Sequence, residues 1–158
     1  MDATSTDYII RQLGPDDLPE ALNLVWRVFS EFVMPNYTRE GVEEFKKFIY
    51  HGSIAGRLAK AEQIMWGCYL GGDISGVISC GPKNHISLLF VDKEYHRRGI
   101  AAKLVGEATS HYKGLGYDQI DVNASAYGMP AYQRLGFAAT GSEKTVNGIC
   151  FTPMLLRF

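Results

Sequence analysis

Apolar residues recur along this chain with two different periods, and the change between them divides it into a helical part and a strand-rich part. From residue 18, the side chains Leu18, Leu22, Val25, Phe29 and Phe32 follow at alternating steps of four and three. That spacing lines one face of a helix. Asp16 or Asp17 can serve as its N-cap, and Pro35 marks its end. A second helix is expected to start at Thr38, whose hydroxyl can satisfy a free first-turn N–H, with Val42, Phe45 and Ile49 buried. Residues 53–60 are ambiguous and compatible with a further helical turn. Before these helices, residues 8–13 read as a strand ended by Gly14-Pro15.

Strand-like runs then cover residues 63–70, 74–80 and 85–91. Gly71-Gly72-Asp73 between the first two is a hairpin signal, because glycines accept the left-handed turn that twisted strands require. A helix over about 97–113 follows, with Ile100, Leu104, Ala108 and His111 on one side, and Gly114 and Gly116 stop it. A strand at 118–123, a short helix at about 127–135, and strands near 137–140 and 149–156 complete the pattern. The order is β-α-α-β-β-β-α-β-α-β-β. It predicts one α/β (α+β) domain spanning 1–158, with residues 1–6 a flexible N-terminus.

Composition narrows the class. The chain has 158 residues, 46% hydrophobic and 21% charged, with net charge −1, as in ordinary globular domains. There is no basic run to attract nucleic acid and no apolar stretch of the ~18 residues that crosses a bilayer. The first residues lack the basic and apolar regions of a signal peptide, so a cytoplasmic setting without membrane contact is expected. Cys68, Cys80 and Cys150 are odd in number and widely spaced. They read as buried free thiols, and no metal site is expected.

Residues 89–101, Leu-Phe-Val-Asp-Lys-Glu-Tyr-His-Arg-Arg-Gly-Ile-Ala, carry the candidate chemistry. A strand ends at Val91 and a helix opens after Gly99. A helix N-terminus presents free N–H groups and the positive end of the peptide dipoles, and Arg97 and Arg98 add two charges. Gly99, Ala101 and Ala102 leave room for a ligand to approach the backbone. Such a turn suits a phosphate or pyrophosphate.

The stretch His96-Arg97-Arg98-Gly99-Ile100-Ala101 resembles the Gln/Arg-x-x-Gly-x-Gly/Ala signature of the GNAT (Gcn5-related N-acetyltransferase) superfamily, with His96 in place of the usual Gln or Arg. About 30 residues on, Tyr132-Gln133-Arg134-Leu135-Gly136-Phe137 is similar to the family's Tyr-x-x-Leu-Gly-Phe, and the resemblance spans most of 63–158. It implies a mixed, mostly antiparallel sheet of six to seven strands, with helices on both faces and a splay between the strands at 85–91 and 118–123. It also implies acetyl-CoA as cosubstrate, bound by His96, Arg97, Arg98, Gly99, Ile100, Ala101 and Ala102. Free backbone groups of Phe90 and Val91 would pair with the pantetheine arm, with Asn123 on its other side.

The implied reaction is direct acetyl transfer to a primary amine in a ternary complex. Tyr132 matches the family's general acid near the coenzyme sulfur. A Lys-like ammonium must first lose its proton, which at pH 7 costs roughly 4–5 kcal/mol, so a base is expected. Glu31 and His85 are the candidates, with Glu62 and Asp121 weaker, and the Val91 N–H could meet the oxyanion. Residues 29–48 would border the acceptor. Their acidic members, Glu31, Glu40, Glu43 and Glu44, would favour a cationic small-molecule or peptide amine. A homodimer is compatible with the family. Two other readings stay open: a non-catalytic acyl-CoA-binding or regulatory module, and an ATP-binding enzyme, which lacks a P-loop Lys-Ser/Thr.

Overall fold

The computed structural model describes residues 7–158; the tail expected at 1–6 lies outside the described residues. Its single sheet runs in the order β1 (Ile9–Gln12), β2 (Ile64–Leu70), β3 (Asp73–Cys80), β4 (His85–Val91), β5 (Gln119–Ala124), β8 (Ile149–Arg157) and β6 (Ala138–Ala139), with β7 (Lys144–Val146) also paired to β8. All neighbours are antiparallel except β4 and β5. The expected class and splay are present. The strand count is eight rather than six or seven, because β7 folds back on β8 through Asn147-Gly148, both at positive φ (51° and 78°). Asn-Gly is the strongest two-residue hairpin signal, so this strand was readable from the sequence.

The first helix departs from its expected regularity. After α1 (Leu18–Val28) the chain makes one π-helical turn, Phe29–Val33, and then a 3-10 turn, Met34–Asn36. The extra residue in the π turn rotates the following side chains, so Val33 enters the core and Phe32 stays half-buried. Asp17 does not cap α1; its carboxylate accepts from the Gly14 N–H (2.8 Å) and from Arg11 (3.0 Å). Thr38 does cap α2 (Arg39–Phe48): its oxygen accepts from the Gly41 N–H at 3.1 Å, and its hydroxyl donates to the Gly148 carbonyl at 3.0 Å. The ambiguous segment is a helix, α3 (His51–Ala59).

Two apolar cores follow from this layout. Helices α1, α2 and α3 pack one face of the sheet, where Phe29 and Phe45 stack with ring centroids 3.9 Å apart. The other face is covered by α4 (Ile100–Gly114) and α5 (Met129–Arg134). Helix α4 starts at Ile100 rather than near 97. Tyr112 takes the buried place expected of His111, whose ring lies edge-on to Trp66. Cys68 and Cys80 are buried as expected, whereas Cys150 is only half-buried. No helix among the described residues is long and apolar enough to cross a membrane.

The splay that opens the site lies between β4 and β5. These parallel strands are in register at only two pairs, His85 with Asp121 and Ile86 with Val122. Opposite β3, Cys80 pairs with Ile86 and Ser79 with Leu88, so Ser87 is the extra residue of a bulge. A bulge bends its strand and sharpens the twist, and β4 diverges from β5 directly beyond it.

Candidate active site

At the top of the splay sits the N-terminus of α4. Gly99 is its N-cap, in the left-handed region at φ +77°, with no side-chain cap and no acidic residue in the first turn. The Gly99 carbonyl accepts from Lys103, while the N–H groups of Ile100, Ala101 and Ala102 have no partners within the helix. Arg97 is also left-handed, at φ +65°, a conformation that costs a non-glycine residue on the order of 1 kcal/mol. His96 closes the turn by bonding its Nε2 to the Val91 carbonyl at 2.8 Å. An imidazole N–H thus ties the turn before α4 back to the end of β4. Two ion pairs fasten the preceding 3-10 turn, Lys93–Tyr95, to the α1 side: Arg27–Asp92 at 2.6 Å and Lys93–Glu31 at 3.0 Å.

A cavity of about 1040 Å³ runs from this turn down the gap between β4 and β5. Gly99, Ile100, Ala101, Ala102, His96, Arg97, Phe90, Val91, Asn123 and Tyr132 all line it, as the sequence led us to expect. Backbone direction corrects one detail. The Asp92 N–H bonds to the Ser75 carbonyl on β3. Antiparallel alternation then turns the peptide groups of Phe90 toward its partner Val77 and those of Leu89 and Val91 toward the gap. Phe90 contributes its side chain, packed edge-on against Phe45. Leu89, not foreseen, supplies the open edge together with the Val91 N–H, the Val91 carbonyl being taken by His96.

Tyr132 is 8% exposed and held by the Phe137 ring at 5.2 Å and by Gly128, where a Cβ would approach Tyr132 Cε2 to 3.3 Å. Burial, followed by the nearby Cys80 thiol, pushes its phenol well above the ordinary value, so the hydroxyl keeps its proton at any physiological pH. The position comes from helix termination. The Phe137 N–H bonds to the Tyr132 carbonyl around Gly136, at φ +100°, and the last turn of α5 is locked as a Schellman motif.

The two proposed bases are placed elsewhere. Glu31 does not line the cavity; its carboxylate is exposed and paired with Lys93. His85 stands at the closed end of the splay, with Nδ1 2.7 Å from Asp121 Oδ1, and pins the two half-sheets together there. Asp121 is engaged in that pair, and Glu62 borders a second cavity of about 570 Å³ at Cys80 and Tyr112. Arg98 lies over the Tyr95 ring at 5.6 Å and is outside the cavity lining. None of Glu40, Glu43 and Glu44 lines the cavity, and the last two pair with Lys46 and Lys47 on the same helix.

Arg134, Phe32, Tyr37 and Tyr127 also line the cavity. Phe32 stacks on Tyr127 at 5.0 Å and faces His96 at 5.4 Å, bridging the π turn to the loop before α5. Arg134 lies inside the second motif, and Phe32 and Tyr37 lie in the segment 29–48 expected to border the acceptor; Tyr127 had no such signal. The aromatics converge through contacts between distant segments.

An acetyltransferase (GNAT) domain model matches residues 33–158. An Escherichia coli K12 protein, YafP, described as an uncharacterized N-acetyltransferase, is 25% identical over 150 residues covering 94% of each chain. Among solved structures, a GCN5-related N-acetyltransferase from Rhodopseudomonas palustris superposes with a TM-score of 0.82 over 100% of this chain and 99% of its own, at 20% identity. PaiA N-acetyltransferase from Thermoplasma acidophilum, solved with coenzyme A, gives 0.80 over 96% and 99%, at 17% identity. At these identities the superpositions speak for the fold, and the domain match for the family. With its uncapped α4 start, splayed sheet and matching domain, this chain belongs to the GNAT acetyltransferase family of N-acetyl-transferring enzymes.

Proposed function

We propose that the protein moves an acetyl group from acetyl-CoA to a primary amine by direct attack in a ternary complex. The observation carrying this reading is the uncapped start of α4, opening into a cavity continuous with the free edge of β4. The residues present fit the coenzyme. An anion at Gly99 meets open space, since nothing lies within 4 Å of the missing Cβ, and the free N–H groups of residues 100–102 and the Arg97 guanidinium suit a diphosphate. Arg134 adds a second cation to the lining, and Arg98 adds long-range attraction from outside it. The pantetheine arm would pair with the Leu89 edge as an added strand, with the Asn123 amide opposite, which leaves the Val91 N–H free beyond it. That the Thermoplasma protein of like fold was solved with coenzyme A supports this placement.

In this arrangement the amine lone pair attacks the thioester carbon, the C–N bond forms and the C–S bond breaks. A gap-facing N–H, that of Val91 in this reading, meets the oxyanion. The phenol of Tyr132 is a weaker acid than a thiol, so it stabilises the departing thiolate by donating a hydrogen bond while retaining its own proton. The proton lost by the amine balances the one the sulfur finally takes up. The buried free thiols Cys68 and Cys80 support a reducing, cytoplasmic setting.

Calorimetric titration with coenzyme A tests the donor site. Wild type should bind, and Arg97→Glu should weaken binding at least tenfold. Unchanged affinity in that variant would refute the phosphate turn. Tight binding without thiol release across an amine panel would leave a binding module instead.

A further inference from the structure

We propose that the acceptor is a weakly basic primary amine carried on an aromatic or bulky apolar body, held against Phe32, Tyr37, Phe90 and Tyr127. This inference rests on the acetyltransfer reading and names the substrate class of the same cavity. One side of that cavity is an aromatic wall: Phe32 stacked on Tyr127, Tyr37 edge-on to Phe29 at 5.1 Å, and Phe90 edge-on to Phe45 at 6.0 Å. Such a wall rewards apolar area and ring stacking.

The charges point the same way. Among the described residues no Asp or Glu lines the cavity. The nearby carboxylates are engaged elsewhere: Glu31 with Lys93, Asp92 with Arg27, Glu43 with Lys46, Glu44 with Lys47 and Asp121 with His85. His96, the imidazole in the lining, donates its Nε2–H to the Val91 carbonyl and offers an ammonium no negative charge. No carboxylate therefore sits in the lining to bind an ammonium or take its proton; Glu31 acts on the Tyr127 phenol from outside it and is paired with Lys93. Burial also raises the Tyr37 and Tyr132 phenols, and the same loss of water disfavours an ammonium. A lysine-type amine has only about one molecule in a thousand unprotonated at pH 7.4, whereas an α-amine beside a carbonyl has about one in three. The second kind arrives ready to attack. The reaction balances without a base in the wall: C–N forms, C–S breaks, and one proton passes from nitrogen through solvent to sulfur.

The test compares three acceptors at pH 7.4 with saturating acetyl-CoA, read as free thiol and as acetylated product. L-phenylalaninamide has the α-amine and the ring, glycinamide has only the α-amine, and spermidine is polycationic. kcat/KM for L-phenylalaninamide should exceed that for each of the others at least tenfold. Tyr127→Ala and Phe32→Leu should each raise the KM for L-phenylalaninamide at least fivefold more than they raise that for glycinamide, in protein that still melts cooperatively and binds acetyl-CoA. Preference for spermidine, parity among the three, or no acetylation by protein that still binds acetyl-CoA would each overturn the inference and leave the donor site standing. Failure to bind acetyl-CoA would strike the donor reading first, and this one with it.

Discussion

Replacing Gly99 by alanine should cost little in folding and much in coenzyme binding, because the same atom meets different neighbours in the two states. The residue caps α4 at φ +77°. For an L-residue the left-handed region costs about 1–2 kcal/mol more than for glycine. An alanine Cβ would meet nothing within 4 Å in the free protein, so no clash adds to the strain. With an unfolding entropy of about 2.1 cal/mol/K per residue over 158 residues, that strain lowers Tm by roughly 3–6 °C. In the complex the methyl would occupy the space assigned to a diphosphate oxygen and separate it from at least one N–H. A hydrogen bond to a charged group is worth about 1.5–3 kcal/mol, so Kd for coenzyme A should rise roughly 10- to 150-fold. Gly116 provides the control. It too is left-handed, at φ +95°, with nothing within 4 Å, but it lies beyond the far end of α4 and outside the cavity. Gly116→Ala should lower Tm comparably and leave Kd unchanged. Thermal melts and calorimetric titration of both variants decide the matter. If Gly99→Ala binds coenzyme A within twofold of wild type, or if both substitutions weaken it equally, the phosphate turn is misassigned.

Three other perturbations separate the remaining roles. Tyr132→Phe should lower kcat at least tenfold with little change in coenzyme Kd; since burial raises the phenol's pKa, the wild-type kcat profile should show no alkaline loss from this group below about pH 10. His96→Ala removes the bond to the Val91 carbonyl and should raise Kd for coenzyme A about fivefold, one neutral hydrogen bond's worth, while His96→Gln recovers most of it. With a thiol reagent at pH 8, the half-buried Cys150 should react rapidly and Cys68 and Cys80 only on unfolding. Burial pushes the Cys80 thiol up to about 12, so the folded protein holds that proton more tightly than the unfolded chain. Its share of stability is intact below about pH 9 and is lost as pH rises toward 12. Three fast thiols at pH 8, or an alkaline melt indifferent to Cys80→Ser, would contradict the burial.

Much of this protein was legible without coordinates. The two periods of apolar residues located the major helices and strands except β7, the irregular end of α1 and α3, which stayed ambiguous, and the class of fold followed from their order. The turn before α4 could be read because its geometry is local. A strand end, a left-handed glycine, free helix N–H groups and arginines lie within about ten residues, so the backbone itself builds the uncapped helix start. The placement of Tyr132 in the cavity lining was legible for the same reason, since the glycine that ends α5 sits four residues away. What failed was a matter of direction and distance. Whether the peptide groups of Phe90 or of Leu89 face the gap depends on pairing with β3, and Ser87's bulge sets that phase. Glu31 and His85 have suitable chemistry, but whether they are free depends on Lys93 and Asp121, 62 and 36 residues away.

The sequence by itself thus determined most of the elements, their order and the glycine-led turn before α4, because each rests on hydrogen bonds and φ preferences among near neighbours. The tertiary structure alone decided which edge of β4 stays open, which carboxylates are neutralised, and that Phe32, Tyr37, Phe90 and Tyr127 share one wall. Those outcomes depend on burial and on charge pairing between segments far apart in the chain, which no short stretch of residues encodes.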